Sequence, residues 1–518
     1  MVSAREVVVA DLSRIAAVNP AVNAFCEVRA SDALQRAEVI DAQVARGEDP
    51  GPLAGVPVAV KDVVWEAGVE ATNGSRALLG FRPERSAVVV DRLVAAGAVV
   101  IGRTNQPEFC YLGNCANDLY GATANPWDLD RTSGGSSGGA AAAVAAGLCS
   151  VAIGSDGGGS IRIPSSFCGV VGLKQTFGLV PRDPGWPGWL TLNHVGAITG
   201  CVEDSALVLQ VLAGPDPGDP MTLPALGLDY VAAAAGTGDL RGLRVAASDD
   251  LGYVPVDDGV LSLFRDSVER FRSLGAEITW EHPRLASPLD IWNTLAFSDN
   301  VASEGALLAG GRVGDAAVGL IGLGEAISAG AYPRARNARH EFNAQWHRFM
   351  LDYDLMLTPA MECVAFPLGR TRPESIGGLP LDPVGDNWAH FCYPFNLTGQ
   401  PAISVPMGVV DGLPVGLQIV GGRWADDVVL RAAAAWERAY PWMPAADVAT
   451  GDVVDHDVLD AVRAAAESGA TDVELADRGG LAAGSIVSAA GDVRVRRVFS
   501  PEAGRIVAEL DRCAPGLH

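Results

Sequence analysis

An α/β fold is predicted by three features of this sequence. Short β-branched runs alternate with amphipathic helical stretches, glycine falls where those helices stop, and apolar residues make up 49% of the 518 without forming a membrane-length run. The first unit is GVPVAVKD, where Val56 to Val60 read as a strand that delivers Lys61 at its end. A helix from Ser86 to Ala96 stops at Gly97, and AVVIG follows as a buried strand. RTSGGSSGG, from Arg131 to Gly139, is too rich in glycine and serine for regular structure. It runs straight into AAAAVAAGL, which is small and apolar on every face and is therefore predicted to be a buried helix. The strand VAIGS and a second glycine loop, DGGGS, come next.

The same grammar recurs downstream. Val260, Phe264, Val268 and Phe271 share one face of a helix that ends near Gly275, after which AEITW resumes as a strand. YDLMLTPA, AISVPMG and PVGLQIVGG read as further strands, and DDVVLRAAAAWERAY as a last amphipathic helix. Glycine and alanine become dense between residues 310 and 330, which suits either a covering segment or a plain loop. The expected division is a catalytic domain over residues 1–445 and a small acidic appendage over 446–518. The appendage carries a helix at DVLDAVRAAAE and short strands at SIVSA and VRVRRV. No repeat of fixed period is present.

Charge and composition remove several function classes. With 62 acidic against 38 basic residues, the net charge of −24 repels phosphate backbones and anionic membrane surfaces, so neither nucleic acid nor membrane is an expected partner. Arg5, Glu6, Asp11 and Arg14 break up the N-terminal segment in a way no secretory signal tolerates, and a cytoplasmic location is expected. Nine cysteines, an odd number without CxxC pairs, are expected to be reduced, with Cys110, Cys115 and Cys168 as small core residues. No two histidines have ligand spacing and no Gly-Lys-Ser/Thr follows a glycine loop, so no metal, phosphate site or organic cofactor is expected.

The most specific feature is a pair of serine-bearing glycine loops flanking one helix-strand unit, with a lysine ending a strand upstream. Glycine beside a nucleophile lets a carbonyl approach the backbone, where successive N–H groups can point at one developing negative charge. A lysine at a strand end is ordinarily a solvated charge, and a Gly-Ser cluster is ordinarily a linker. Here, however, GVPVAVKD, GGSSGG and GSDGGGSIRIPSSFCGVVGLKQTFG resemble the core motifs of the amidase signature family almost position by position. The later segments NLTGQPAISVP and GLPVGLQIVG resemble that family too. The likeness runs from about residue 5 to 442.

The resemblance implies a mixed central β-sheet between layers of α-helices, and a Ser-Ser-Lys triad. Ser160 would be the nucleophile, Ser136, preceded by a cis peptide bond, the proton relay, and Lys61 the base. A lysine can serve as base only if burial pulls its pKa well below about 10.4. The resemblance also implies an oxyanion hole from the N–H groups of Gly157, Gly158, Gly159 and Ser160, with Asp156, Arg162 and Ser137 supporting the loops. Trp186, Trp189, Tyr393 and Phe395 fall in segments that lie beside the catalytic loops in relatives. They are candidates for an apolar acyl or aryl pocket, with ordinary core packing the competing reading for each.

Three departures stand out. Gly157 replaces a larger residue, often threonine, which predicts a looser oxyanion loop or a roomier pocket; Gln175 stands where proline is common; and the family's usual helix ahead of SAREVV is missing. The expected activity is hydrolysis of a small-molecule amide through an acyl-enzyme on Ser160, with a homodimer left open. Two other readings compete. GGSSG also fits the G-x-S-x-G elbow of esterases, which would make Ser136 the attacker and require a histidine; of His194, His282, His340, His347, His390, His456 and His518, only His194 is near the serine loops in sequence. The family also includes the glutamine-hydrolysing component of a tRNA-dependent amidotransferase.

Overall fold

The computed structural model describes residues 2–236, 238–381 and 388–442, and beyond them the backbone of three strands, Asp472–Val473, Val493–Ser500 and Arg505–Arg512. Eleven strands build one sheet: β1 (Phe25–Val28), β2 (Pro57–Lys61), β3 (Val99–Thr104), β4 (Val151–Asp156), β5 (Val171–Lys174), β6 (His194–Thr199), β7 (Arg244–Ala247), β8 (Glu277–Trp280), β9 (Leu355–Pro359), β10 (Ala402–Val410) and β11 (Leu413–Gly421). Their order across the sheet is β1-β3-β2-β4-β6-β5-β10-β11-β9-β7-β8. Pairing is parallel in β3-β2-β4 and in β9-β7-β8 and antiparallel elsewhere, so the sheet is mixed, as the resemblance implied.

The central strands are apolar on both faces because both faces are covered. Along β2, Val58 and Val60 enter one core and Ala59 the other; in β4, Val151 and Ile153 oppose Ala152 in the same way. The smaller core holds the helices Ala4–Val22, Ala30–Ala45 and Gly138–Ala145. The alanine-rich helix Gly138–Ala145 is buried at every position, as its composition predicted. The larger core takes the helix Asp258–Ser273 through Val260, Phe264, Val268 and Phe271, and the helix Asp426–Ala439 on its alanine face.

Residues 310–330 are not a plain loop. The helix Asp315–Glu325 forms there and buries Ala317, Ile321 and Gly324, one face at helical spacing. In the C-terminal region the predicted strand VRVRRV lies within Val493–Ser500, which pairs antiparallel with Arg505–Arg512. The predicted helix at DVLDAVRAAAE and strand at SIVSA fall outside the described residues.

The end of β2 is pinned by a buried ion pair. Arg103 Nε lies 3.1 Å from Asp62 Oδ1, both side chains being almost wholly buried, and Arg103 Nη2 donates to the carbonyls of Asp62 and Val64. Asp62 also accepts from Thr72 Oγ1 at 2.8 Å and from the Gly74 N–H at 3.1 Å. Removing one member of such a pair strands a buried charge, which typically costs about 3–5 kcal/mol. Arg103→Met is therefore expected to lower the thermal unfolding midpoint clearly and to reduce activity along with it, because the neighbour of Asp62 is Lys61. An unchanged midpoint in calorimetry would refute this.

Candidate active site

Three chain segments distant in sequence meet at the end of β2. Lys61 is wholly buried, and its Nζ lies 2.7 Å from Ser136 Oγ, 3.0 Å from Ser137 Oγ and 2.9 Å from Ser155 Oγ. Ser155 belongs to β4, beside β2 in the sheet, so the two parallel strands themselves bring amine and hydroxyl together. Ser136 follows a cis Gly135–Ser136 peptide bond, and Ser137 caps the buried alanine helix. Burial lowers the pKa of the Lys61 amine; the neighbouring Cys110 and Cys115 thiols and the Asp156 carboxylate pull the other way without prevailing.

Ser160 sits in the second glycine loop, and its carbonyl accepts from the Ser137 N–H at 3.1 Å, which ties the two loops together. Ser136, Ser155, Gly157 and Ser160 line one cavity. The loop is held from behind by Asp156 and Arg162, both fully buried: Nε to Oδ2 and Nη2 to Oδ1 are each 2.9 Å. Arg162 also donates to the Cys392 carbonyl, Gln418 Oε1 and Asn396 Oδ1. Burial alone would raise the Asp156 carboxyl, but the adjoining guanidinium overrides it and holds the acid far below its usual range.

Several expectations need correction. Of the four backbone donors assigned to the oxyanion, the Gly159 N–H is committed to Asp156 Oδ1 at 2.8 Å. Gly157 does not open the pocket either. A Cβ there would stand 2.3 Å from Trp189 Cε3, and one on Gly158 would stand 2.6 Å from Trp292 Cζ2, so the loop is glycine because two indoles occupy the space. Trp292 further donates from Nε1 to the Gly157 carbonyl at 3.0 Å, which firms the loop instead of loosening it. Trp186 and Trp189 do line the cavity. Tyr393 and Phe395 are core residues, nearly fully buried against Trp292 and Trp346 respectively. Cys110, expected in the core, is half-buried and lines the cavity, whereas Cys115 and Cys168 are buried as predicted.

His194 is turned away from Ser136. Its Nδ1 lies 2.9 Å from the Leu192 carbonyl and 3.1 Å from that of Asp156, and its Nε2 lies 3.4 Å from Lys174 Nζ. Burial, with Lys174 adding to it, holds the imidazole well below its usual pKa. No strand runs into Ser136, because the short strand Asp128–Thr132 ends before Ser133. The esterase elbow therefore lacks its strand, and His194 is not placed to serve as its base.

Sequence reasoning missed much of the cavity wall. Trp65, Asn73, Phe109, Tyr111, Arg182 and Glu304 all line it. Glu304 is almost fully buried and accepts from Tyr111 Oη and from Trp186 Nε1. Burial pushes this carboxyl up to about 7, although both donors oppose the shift. Trp189 donates from Nε1 to Asn300 Oδ1 at 2.7 Å, and its ring stacks on Tyr111 with centroids 6.2 Å apart. None of these partners lies in a recognisable motif. The pattern of tryptophans after Pro181 was the available signal.

Among the described residues, no helix is long and apolar enough to cross a membrane, and no three His, Cys, Asp or Glu side chains gather as a metal-holding group. Residues 6–430 match the family model described as Amidase. The chain is 40% identical over 446 residues to an acylamidase of Rhodococcus erythropolis, covering 85% of this chain and 93% of that protein. It is 38% identical to one component of the glutamyl-tRNA(Gln) amidotransferase of Chloroflexus aurantiacus, covering 85% of this chain and 94% of that protein. Its fold is similar to that of a bacterial aryl acylamidase of known structure, with a TM-score of 0.80, 32% identity and coverage of 88% and 96%. A mixed sheet carrying a buried lysine among serine hydroxyls, and a match over most of its length, mean that this chain belongs to the amidase signature family and is an amidase acting on amide bonds.

Proposed function

We propose that this amidase cleaves carboxamides bearing an aromatic group, through an acyl-enzyme on Ser160, with Ser136 as proton relay and Lys61 as base. The observation that carries the reading is the Lys61 amine, fully buried and ringed by three serine hydroxyls. A neutral amine has two hydrogens and one lone pair. The Ser137 hydroxyl gives its own proton to the Ser155 carbonyl at 3.1 Å, so towards Lys61 it can only accept. If Ser155 Oγ accepts the second amine hydrogen, the lone pair is left for Ser136.

Ser160 Oγ then attacks the substrate carbonyl as its proton passes to Ser136, whose own proton passes to Lys61. The N–H groups of Gly157, Gly158 and Ser160 meet the oxyanion, each such donor worth on the order of 3 kcal/mol. The proton returns through Ser136 to the departing amine, and water repeats the cycle on the acyl-enzyme. Trp65, Phe109, Tyr111, Trp186 and Trp189 support an aryl preference, since they line the cavity together. The one carboxyl among them, Glu304, is already occupied by two donors.

Relatives that are amidotransferase components favour a second reading, glutamine hydrolysis within a larger assembly. An aromatic wall is a poor match for the charged head of glutamine. Glutaminase activity that appears only with partner proteins and tRNA would establish that reading.

Ser160→Ala and Lys61→Ala are each expected to abolish release of an aryl amine from an anilide while leaving the circular dichroism unchanged. Turnover surviving in Lys61→Ala but lost in His194→Ala would overturn the scheme. Because Lys61 must be neutral to accept a proton, kcat/KM is expected to fall as pH drops through its lowered pKa and to be level above it. Burial pushes Glu304 up to about 7, so Glu304→Gln should be profiled in parallel: the acid limb persists there if Lys61 causes it. Trp186→Ala is expected to lower kcat/KM for aryl amides about tenfold or more and to change small aliphatic amides little, because only a large ring fills the space it walls. Equal losses on both substrate types would remove the aryl assignment.

A further inference from the structure

The hydrogen bonds around Asn73 form a chain whose direction is fixed. The Val63 N–H can only donate, and it does so to Gln106 Oε1 at 3.0 Å. Gln106 must therefore turn its amide nitrogen to Asn73, where it donates to Oδ1. The Asn73 backbone carbonyl is taken by the Phe109 N–H at 2.9 Å. What remains is Nδ2, a donor with no acceptor in the protein, on a side chain only 2% exposed that lines the catalytic cavity with Ser136 and Ser160. Buried amide donors are rarely left unpaired, and one oriented by two neighbours in a reaction cavity marks a place for a ligand oxygen.

The position of Asn73 tells which oxygen. Its Oδ1 lies 3.8 Å from Cys110 Sγ, and Cys110 in turn borders the Lys61 amine. Asn73 thus belongs to the Lys61 and Ser136 side of the cavity. The oxyanion donors are supplied instead by the loop of Gly157 to Ser160. In the reaction proposed above, the Ser136 side is where the amine departs and where water must then enter.

We propose that Asn73 holds the deacylating water. This rests on the acyl-enzyme reading of Ser160. The water oxygen accepts from Asn73 Nδ2 through one lone pair and presents the other to the ester carbonyl. As its oxygen bonds to that carbon, one water proton passes to Ser136, and the Ser136 proton passes to Lys61. Collapse of the tetrahedral adduct breaks the carbon to Ser160 Oγ bond; the proton held on Lys61 returns through Ser136 to Ser160 Oγ, and the carboxylic acid is released. An amide donor cannot assist the departing nitrogen, whose lone pair must take a proton from Ser136, so acylation does not require it.

The test separates the two half-reactions. A nitrophenyl ester and a nitroanilide of one aromatic acid share the same acyl-enzyme. Asn73→Gly removes the amide at a backbone φ of +50, which glycine adopts freely, and Asn73→Asp keeps the shape while replacing the donor with an acceptor. Both variants are expected to keep the pre-steady-state burst of nitrophenol within about twofold of the parent and to lower kcat about tenfold or more. Ester and anilide should then turn over equally, and the acyl-enzyme should accumulate in the intact mass. Hydroxylamine, which attacks through nitrogen, should raise the ratio of hydroxamate to acid formed. Burst and steady state falling together, or neither changing, would overturn the role of Asn73. If Ser160→Ala still acylates or turns over, the acyl-enzyme reading itself fails, which is a different result. Should Asn73→Gly not fold, Asn73→Asp carries the same measurements.

Discussion

Everything in this site depends on keeping a lysine amine out of water. A solvated ammonium would offer Ser136 no lone pair, and an ammonium stripped of water without acceptors would not be tolerated in a folded core. The structure meets both demands with three hydroxyls within 3.0 Å of the nitrogen. Hydroxyls are suited to this because a hydroxyl can donate or accept, so such a cage can serve a neutral amine and a charged one alike. A carboxylate in their place would hold the lysine permanently charged.

The scaffold serves that cage at every level. β2 and β4 run parallel and adjacent, which sets Lys61 beside Ser155, and the buried alanine helix fixes Ser137 at its start. The alanine helix can lie that close to the sheet only because nothing on it is larger than valine. On the far side of the loops, Trp189 and Trp292 replace side chains that the glycine loop lacks. Rigidity of the nucleophile loop and the aromatic character of the cavity therefore share one origin, two indoles packed on bare backbone.

This division explains how much could be read in advance. The meeting of Lys61, Ser136 and Ser160 at one cavity was legible because these residues sit in short glycine-bearing strings whose local geometry demands those residue types. The sheet was legible from β-branched runs such as VPVAV and VAIGS. The cavity wall was not legible, since Tyr111 meets Glu304 across 193 positions and Trp189 meets Asn300 across 111, and no local pattern announces such pairs. Tyr393 and Phe395 misled for the complementary reason: an aromatic residue near a motif is equally at home in the core beneath it. Gly157 misled because an absent side chain looks like space until its neighbours are known. Asn73 was invisible because only the direction of the hydrogen bonds around it, not its type or spacing, sets it apart.

The Asp156–Arg162 pair acts on the amine as well as on the loop. Asp156 is one of the groups that favour the charged form of Lys61, and an isolated carboxylate at that depth would act through a medium that screens it poorly. Arg162 sits on both of its oxygens, and its opposite charge acts against that field at longer range. Lys174, behind the loop, is pushed down to about 7 by burial, with Arg162 also acting against its charge. Burial is the largest influence on the protonation of Lys61, and the loop that carries Ser160 is stapled by the guanidinium paired with Asp156.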